Sequence, residues 1–193
     1  MLASTSLKQA EASLSAAGII SAAAEAELLM CHCLEISRGE LATQLVLNAD
    51  LEAPSGFFDL VELRCSRVPL QHITGKAPFR SIELSVGEGV FIPRPETEQV
   101  VQVAIDFLAL LPGEPRALDI GTGSGAIAIS IAKETNAKVT AIELSSAAAE
   151  FARANISGLG ANVDLLEGDF MELIGNLPQF DLIISNPPYI PNS

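Results

Sequence analysis

From Arg116 to Ser185 the sequence alternates between apolar runs and helical segments, in the order strand, helix, strand, helix, strand, strand. The runs are RALDIG, KVTAIEL, NVDLLEGD and FDLIIS; the helical segments are GAIAISIAKET and SSAAAEFARANISG. Strands that are apolar along their whole length, not at every second residue, are covered on both faces. The pattern therefore predicts an α/β domain with a parallel, Rossmann-like sheet and helices on both sides, joined by right-handed crossovers.

The preceding residues have a different character. Leu7, Ala10, Leu14 and Ala17 recur at helical spacing, and Gly18 is placed to stop that helix. Ser21, Ser37 and Ser55 are candidate N-caps for three more helices, the last with Phe57, Phe58, Val61 and Cys65 inward and Pro69 at its end. Residues 1–74 are thus expected to form a small helical domain. After Gly75 the alternation of Ile82, Leu84 and Val86, followed by Gly87-Glu88-Gly89 and VFI, predicts a β-hairpin linker over 75–95. The phrase Pro93-Arg94-Pro95-Glu96-Thr97 then opens a helix stopped by Pro112-Gly113, within a third region, 96–193.

With 49% apolar residues the chain can fill a core, and its net charge of −13 argues against broad binding to phosphate backbones. Five basic residues against two acidic ones between Arg64 and Arg94 read as solvated surface. Of three cysteines, Cys31 and Cys33 stand two apart on a helix and so point apart; they read as buried free thiols, and no metal site is expected. The N-terminus has neither a basic leader nor a long apolar core, so a soluble cytoplasmic protein without a membrane partner is expected.

Chemistry concentrates at two strand ends. Gly121-Thr122-Gly123-Ser124-Gly125 follows the first strand and opens a helix, where glycines permit a tight turn and close approach of a ligand to the backbone. Glu143 ends the next strand about twenty residues on, where a carboxylate can accept from both ribose hydroxyls. The pair indicates a nucleoside-type cofactor, either NAD or S-adenosylmethionine. Asp169 and Phe170, after the third strand, could accept from an adenine amino group and lie against its face, or could be ordinary loop and packing residues.

The fourth strand runs into Asn186-Pro187-Pro188-Tyr189. Two prolines remove two N–H donors, so carbonyl oxygens dominate the wall beside Asn186. A planar nitrogen that is to receive a methyl group needs such acceptors to hold its hydrogens and aim its lone pair. Asn186 and the Pro187 carbonyl can supply them, and Tyr189 can stack on a planar substrate. Ligands of open α/β sheets bind at the carboxyl ends of the strands, so the glycine loop and Asn186 are expected to converge on one cleft.

The strand-end Asn-Pro-Pro-Tyr resembles the signature of methyltransferases acting on planar amino or amide nitrogens. The helical N-terminal region, the segment PLQHITGKAPFRSIELSVGEGVFIPRPETE and DIGTGSGAIAIS resemble the HemK/PrmC family of N5-glutamine methyltransferases more specifically. That resemblance runs from the first helix to Tyr189. It implies a Rossmann-like methyltransferase sheet that uses S-adenosylmethionine, held by Gly121 to Gly125, Glu143, Phe170 and Asn186. It implies that Asn186, Pro187, Pro188 and Tyr189 hold the acceptor, the glutamine amide of the Gly-Gly-Gln motif of peptide chain release factors. The helical domain would then select that protein partner. The family's sheet carries further strands, so the resemblance also implies an incomplete sheet here, truncated after strand four, with LIIS as a bare edge. A nucleic-acid base methyltransferase, or an inactive truncated binding module, is the alternative; a nicotinamide dehydrogenase lacks an accompanying acid–base set.

Overall fold

The computed structural model describes residues 1–47 and 50–186. They divide into two units, Met1–Thr74 and Gly75–Ser193.

The first unit is helical. Its helices are α1 (Ala3–Ala16), α2 (Ala22–Leu34), α3 (Arg38–Leu47), α4 (Phe57–Cys65) and the short α5 (Leu70–Thr74). Leu14, Leu29, Met30, Leu41, Phe57 and Val61 fill its core. Ser37 caps α3 reciprocally with Glu40: the Glu40 N–H donates to Ser37 Oγ at 3.2 Å, and the Ser37 N–H to Glu40 Oε2 at 2.8 Å. The other two expected serine caps differ. Ser21 Oγ donates instead to the Glu25 carboxylate, and Gly56, not Ser55, stands at the start of α4. Arg64 pairs with Glu25 at 2.5 Å, where both side chains are largely buried, so it is not the solvated cation its sequence context suggests. Burial raises the Cys31 and Cys33 thiols above the usual range, though Cys33 is only partly covered. No helix among the described residues is long and apolar enough to cross a membrane.

The second unit begins with a hairpin, β1 (Lys76–Phe79) and β2 (Ile82–Ser85). The partner of IELS is therefore the preceding KAPF; the following VFI, expected as the partner, is not a strand. The turn is Arg80-Ser81, with Arg80 at φ 49°, a conformation costly for a side-chain-bearing residue. Anchoring offsets that cost. The guanidinium is held by both Glu134 oxygens at 2.7 Å, and the Arg80 N–H donates to Glu98 Oε1. Helix α6 (Pro95–Leu108) follows, with Pro95 in its first turn, where the missing N–H costs nothing. It buries Thr97, Val101, Ala104 and Leu108 along one helical face.

The remaining strands, β3 (Arg116–Ile120), β4 (Lys138–Glu143), β5 (Val163–Glu167) and β6 (Leu182–Ser185), form one parallel sheet in the order β5-β4-β3-β6. Helix α7 (Ala126–Glu134) links β3 to β4, and α8 (Ser146–Gly158) links β4 to β5. Every residue from Ala126 to Ile131 is buried, because α7 packs between the sheet and α6. After β5 come α9 (Phe170–Leu173) and a 3-10 turn, Ile174–Asn176. The chain thus steps outward from β3 to β5, then returns to pair β6 on the other side of β3. The carboxyl ends of β3 and β6 meet at this reversal, the position where such sheets open a ligand crevice.

Candidate functional site

The loop after β3 is bent by three glycines at positive φ, Gly121 at 71°, Gly123 at 58° and Gly125 at 86°. A side chain on Gly121 or Gly123 would meet no protein atom within 4 Å, so these two are required by backbone conformation and leave their Cα faces open. Gly125 differs. It precedes α7, and a Cβ there would lie 2.9 Å from Ile129, so packing also demands its size. The Gly121 and Thr122 N–H groups both donate to the Ile142 carbonyl, at 2.8 and 3.1 Å, which fixes the loop against β4.

Two carboxylates hold this loop from opposite sides. Glu143, nearly buried at the end of β4, accepts from the Gly123 N–H through Oε2 at 2.8 Å and from the Ser145 N–H through Oε1 at 2.9 Å. Each oxygen keeps a further lone pair. Asp119, wholly buried in β3, accepts through Oδ2 from the Thr122 hydroxyl at 2.6 Å and from the Ala128 N–H at 3.2 Å. Its Oδ1 has no hydrogen-bond partner among the described residues. Burial pushes the Asp119 pKa up to about 6; the Thr122 and Ala128 bonds oppose the shift, and the Glu143 charge adds to it. Asn155 of α8 adds a third tie, donating to the Ser124 carbonyl at 2.9 Å while its side chain exchanges two bonds with the Ser85 backbone.

The raised pKa has a consequence for stability. The folded carboxyl binds a proton more tightly than the unfolded one, so between about pH 4 and 6 the folded state holds more protons. Stability from this group is full below that window, falls as pH rises through it, and is constant above it, a change on the order of 3 kcal/mol. Asp119→Asn removes the ionisation. Urea unfolding at steps from pH 4 to 7.5 is expected to show the wild type losing stability relative to Asp119→Asn as pH rises. A constant difference between the two proteins would mean that Asp119 titrates in the ordinary range.

The loop opens onto a cavity of about 960 Å³. One side is formed by Gly121, Thr122, Gly123, Ser124 and Glu143, and the next by Gly168, Asp169 and Phe170. Gly125 does not reach the wall. Asp169 also caps α9, its Oδ1 accepting from the Met171 N–H at 2.8 Å, so part of its carboxylate serves the local structure. The far side is formed by Phe91, Pro93, Thr97, Val100 and Asn186. The two expected halves, glycine loop and Asn186, therefore share one cavity. Their strand ends are tied directly, with Ser185 Oγ donating to the Ile120 carbonyl at 2.8 Å. Asn186 Nδ2 donates to Thr97 Oγ1 at 2.8 Å, a contact across 89 residues that no local signal in the sequence announces. Phe91 and Asp119 lie within sequence motifs quoted above, but sequence reasoning assigns neither a role in the site. Pro187, Pro188 and Tyr189 lie outside the described residues.

Comparison with known proteins adds two domain descriptions. Residues 5–75 match the PrmC N-terminal domain, and residues 117–192 a methyltransferase domain. A release factor glutamine methyltransferase of Streptomyces coelicolor is 47% identical over 95% of this chain, and the chain spans 64% of that relative's length. The enzyme of the same description from Bifidobacterium longum is 35% identical over 100% of this chain, which spans 71% of it. Among solved structures, the Thermus thermophilus 16S rRNA N2 G1207 methyltransferase has a TM-score of 0.52 and 22% identity, covering 61% of this chain and 33% of its own. That likeness concerns the fold. The parallel β5-β4-β3-β6 sheet, with helices on its faces, falls within the residues that match the methyltransferase domain, from Ala117 onward. With its helical first unit, its glycine loop under β3 and identities of this size along nearly all its length, the chain belongs to the release factor glutamine methyltransferase family.

Proposed function

We propose that this protein methylates the side-chain amide nitrogen of a glutamine, that of the Gly-Gly-Gln motif of peptide chain release factors, with S-adenosylmethionine as methyl donor. The observation that carries the proposal is the shared cavity, in which the glycine loop and Glu143 on one side and Asn186 on the other face one space at the sheet reversal. The similarity to release factor glutamine methyltransferases supports the choice of glutamine.

The nucleoside half fits the donor. Glu143 has one backbone bond on each oxygen and can accept one ribose hydroxyl on each, while the open Cα faces of Gly121 and Gly123 allow close approach. Phe170 offers a surface for the adenine, and the free part of the Asp169 carboxylate an acceptor for its amino group. When bound, the donor supplies an electrophilic methyl carbon on a sulfonium. The protein's own part is orientation. An amide nitrogen is a poor nucleophile because its lone pair is delocalised into the carbonyl. Acceptors at Asn186 Oδ1 and the Pro187 carbonyl would hold its two hydrogens, turn the lone pair toward the methyl carbon and stabilise the positive charge that develops on nitrogen. Tyr189 would stack on the amide plane. Loss of the proton after transfer needs no strong base, since the methylated amide is strongly acidic until it loses that proton. The helical unit Met1–Thr74 would select the protein substrate.

Calorimetric titration of the protein as its gene encodes it, with S-adenosylmethionine and with NAD, tests the donor. Methyl incorporation into a Gly-Gly-Gln peptide and its Gly-Gly-Asn counterpart tests the acceptor. Preference for S-adenosylmethionine and labelling of the glutamine peptide are expected. Preferential NAD binding, or equal labelling of both peptides, would overturn the proposal.

A further inference from the structure

A side-chain amide is symmetric in shape and opposite in chemistry at its two ends. Asn186 can serve as an acceptor only if Oδ1, and not Nδ2, faces the nitrogen to be methylated. With Nδ2 inward, two sets of N–H donors would confront each other and the lone pair could not be aimed. The terminal torsion of asparagine is broad and close to two-fold, so the side chain does not choose by itself. Asn186 is exposed and follows the last residue of β6, with little packing to hold it. Pro187 restricts its backbone to extended conformations but leaves the amide free to turn.

The structure offers one fixed point. Thr97 Oγ1 accepts from Asn186 Nδ2 at 2.8 Å. Thr97 is itself immobile: it is 6% exposed, lies in the first turn of α6, and its N–H donates to the Arg94 carbonyl at 3.0 Å. Both residues border the same cavity. We propose that Thr97 is a positioning residue that captures Nδ2 of Asn186 and thereby presents Oδ1 to the acceptor amide. This rests on the glutamine methylation reading and assigns part of the Pro-Arg-Pro-Glu-Thr phrase a task. Its proline starts a rigid helix at the cavity wall, and its threonine uses that rigidity to orient a residue on a different strand. Thr97 touches no substrate atom in this scheme. It acts through Asn186 alone.

Thr97→Val keeps the branched shape and removes the hydroxyl, and Thr97→Ser keeps the hydroxyl. In the protein as its gene encodes it, Thr97→Val is expected to lower kcat on a Gly-Gly-Gln peptide by roughly 10- to 100-fold, with KM and donor affinity changed by less than about 3-fold. Thr97→Ser is expected to restore kcat to within about 3-fold of wild type. The Asn186 side-chain amide resonances give a readout that does not depend on turnover. A separation of the two Nδ2 proton signals different from that of free asparagine, with the bonded proton shifted downfield, is expected in the wild type and in Thr97→Ser, reverting to the free-asparagine separation in Thr97→Val. Wild-type kcat in Thr97→Val would overturn the proposal. So would Thr97→Ser as impaired as Thr97→Val, or amide signals indifferent to position 97. A wild-type protein inactive on every glutamine peptide would overturn the functional reading and the role given to Thr97 with it, while the amide signals would still report whether the bond exists.

Discussion

Asn186→Ala is expected to lower methyl transfer by roughly 100-fold or more, because one oriented acceptor of the transition state is lost. Much of the donor affinity should survive, since in the proposed function the donor is held by Glu143 and the glycine loop, which are tied to each other through β3 and β4. The asymmetry is the diagnostic part. A mutation that disrupted the cavity as a whole would weaken donor binding and turnover together, whereas loss of an acceptor used mainly in the transition state lowers kcat and leaves binding largely intact. Single-turnover methylation alongside calorimetry separates the two. Turnover within about 3-fold of wild type would show that the glutamine amide is aligned by other groups, and would remove the basis for Thr97 as well.

The second large effect concerns Glu143. In the proposed function Glu143 accepts both ribose hydroxyls, so Glu143→Ala would delete two charge-assisted bonds, each on the order of 1.5 kcal/mol, and S-adenosylmethionine affinity is expected to fall by roughly 100-fold. The same change leaves the Gly123 and Ser145 N–H groups without their acceptor, which loosens the loop and adds to the loss. Glu143→Asp retains the charge on a shorter stem and is expected to be far milder. Calorimetry on the three proteins decides the matter. A change below about 5-fold in Glu143→Ala would mean that the carboxylate only organises the loop and does not reach the donor.

Much of this arrangement is legible in the chain. The four apolar runs become β3, β4, β5 and β6 within one or two residues; β3 and β4 are mostly buried as the pattern implies, whereas β5 and β6 are only partly covered. Gly121, Gly123 and Gly125 all adopt the left-handed backbone that their glycine identity suggests, although only the first two face the cavity. The hairpin pairs KAPF rather than VFI with IELS, and two physical features hide this in the sequence. Pro78 disguises KAPF, since proline is unexpected within a strand, although a strand paired on one side only can accommodate it. The Arg80-Ser81 turn also carries none of the usual turn residues, because its strain is offset by ion pairs to Glu134 and by Glu98, more than fifteen residues away. The same holds for Thr97 with Asn186 and for Asn155 with Ser85 and Ser124. Such contacts join residues whose nearness exists only once the sheet has formed, and no periodicity encodes them.

The β5-β4-β3-β6 order also spreads the site over contacts of very different range. Glu143 reaches Gly123 across 20 residues, within a single strand–helix–strand unit whose pieces are neighbours along the chain. Ser185 reaches Ile120 across 65, and Asn186 reaches Thr97 across 89. Contacts that close long loops carry the larger entropic cost and tend to form late. On the proposed function, loss of the β6 pairing would then cost methyl transfer before it costs donor binding.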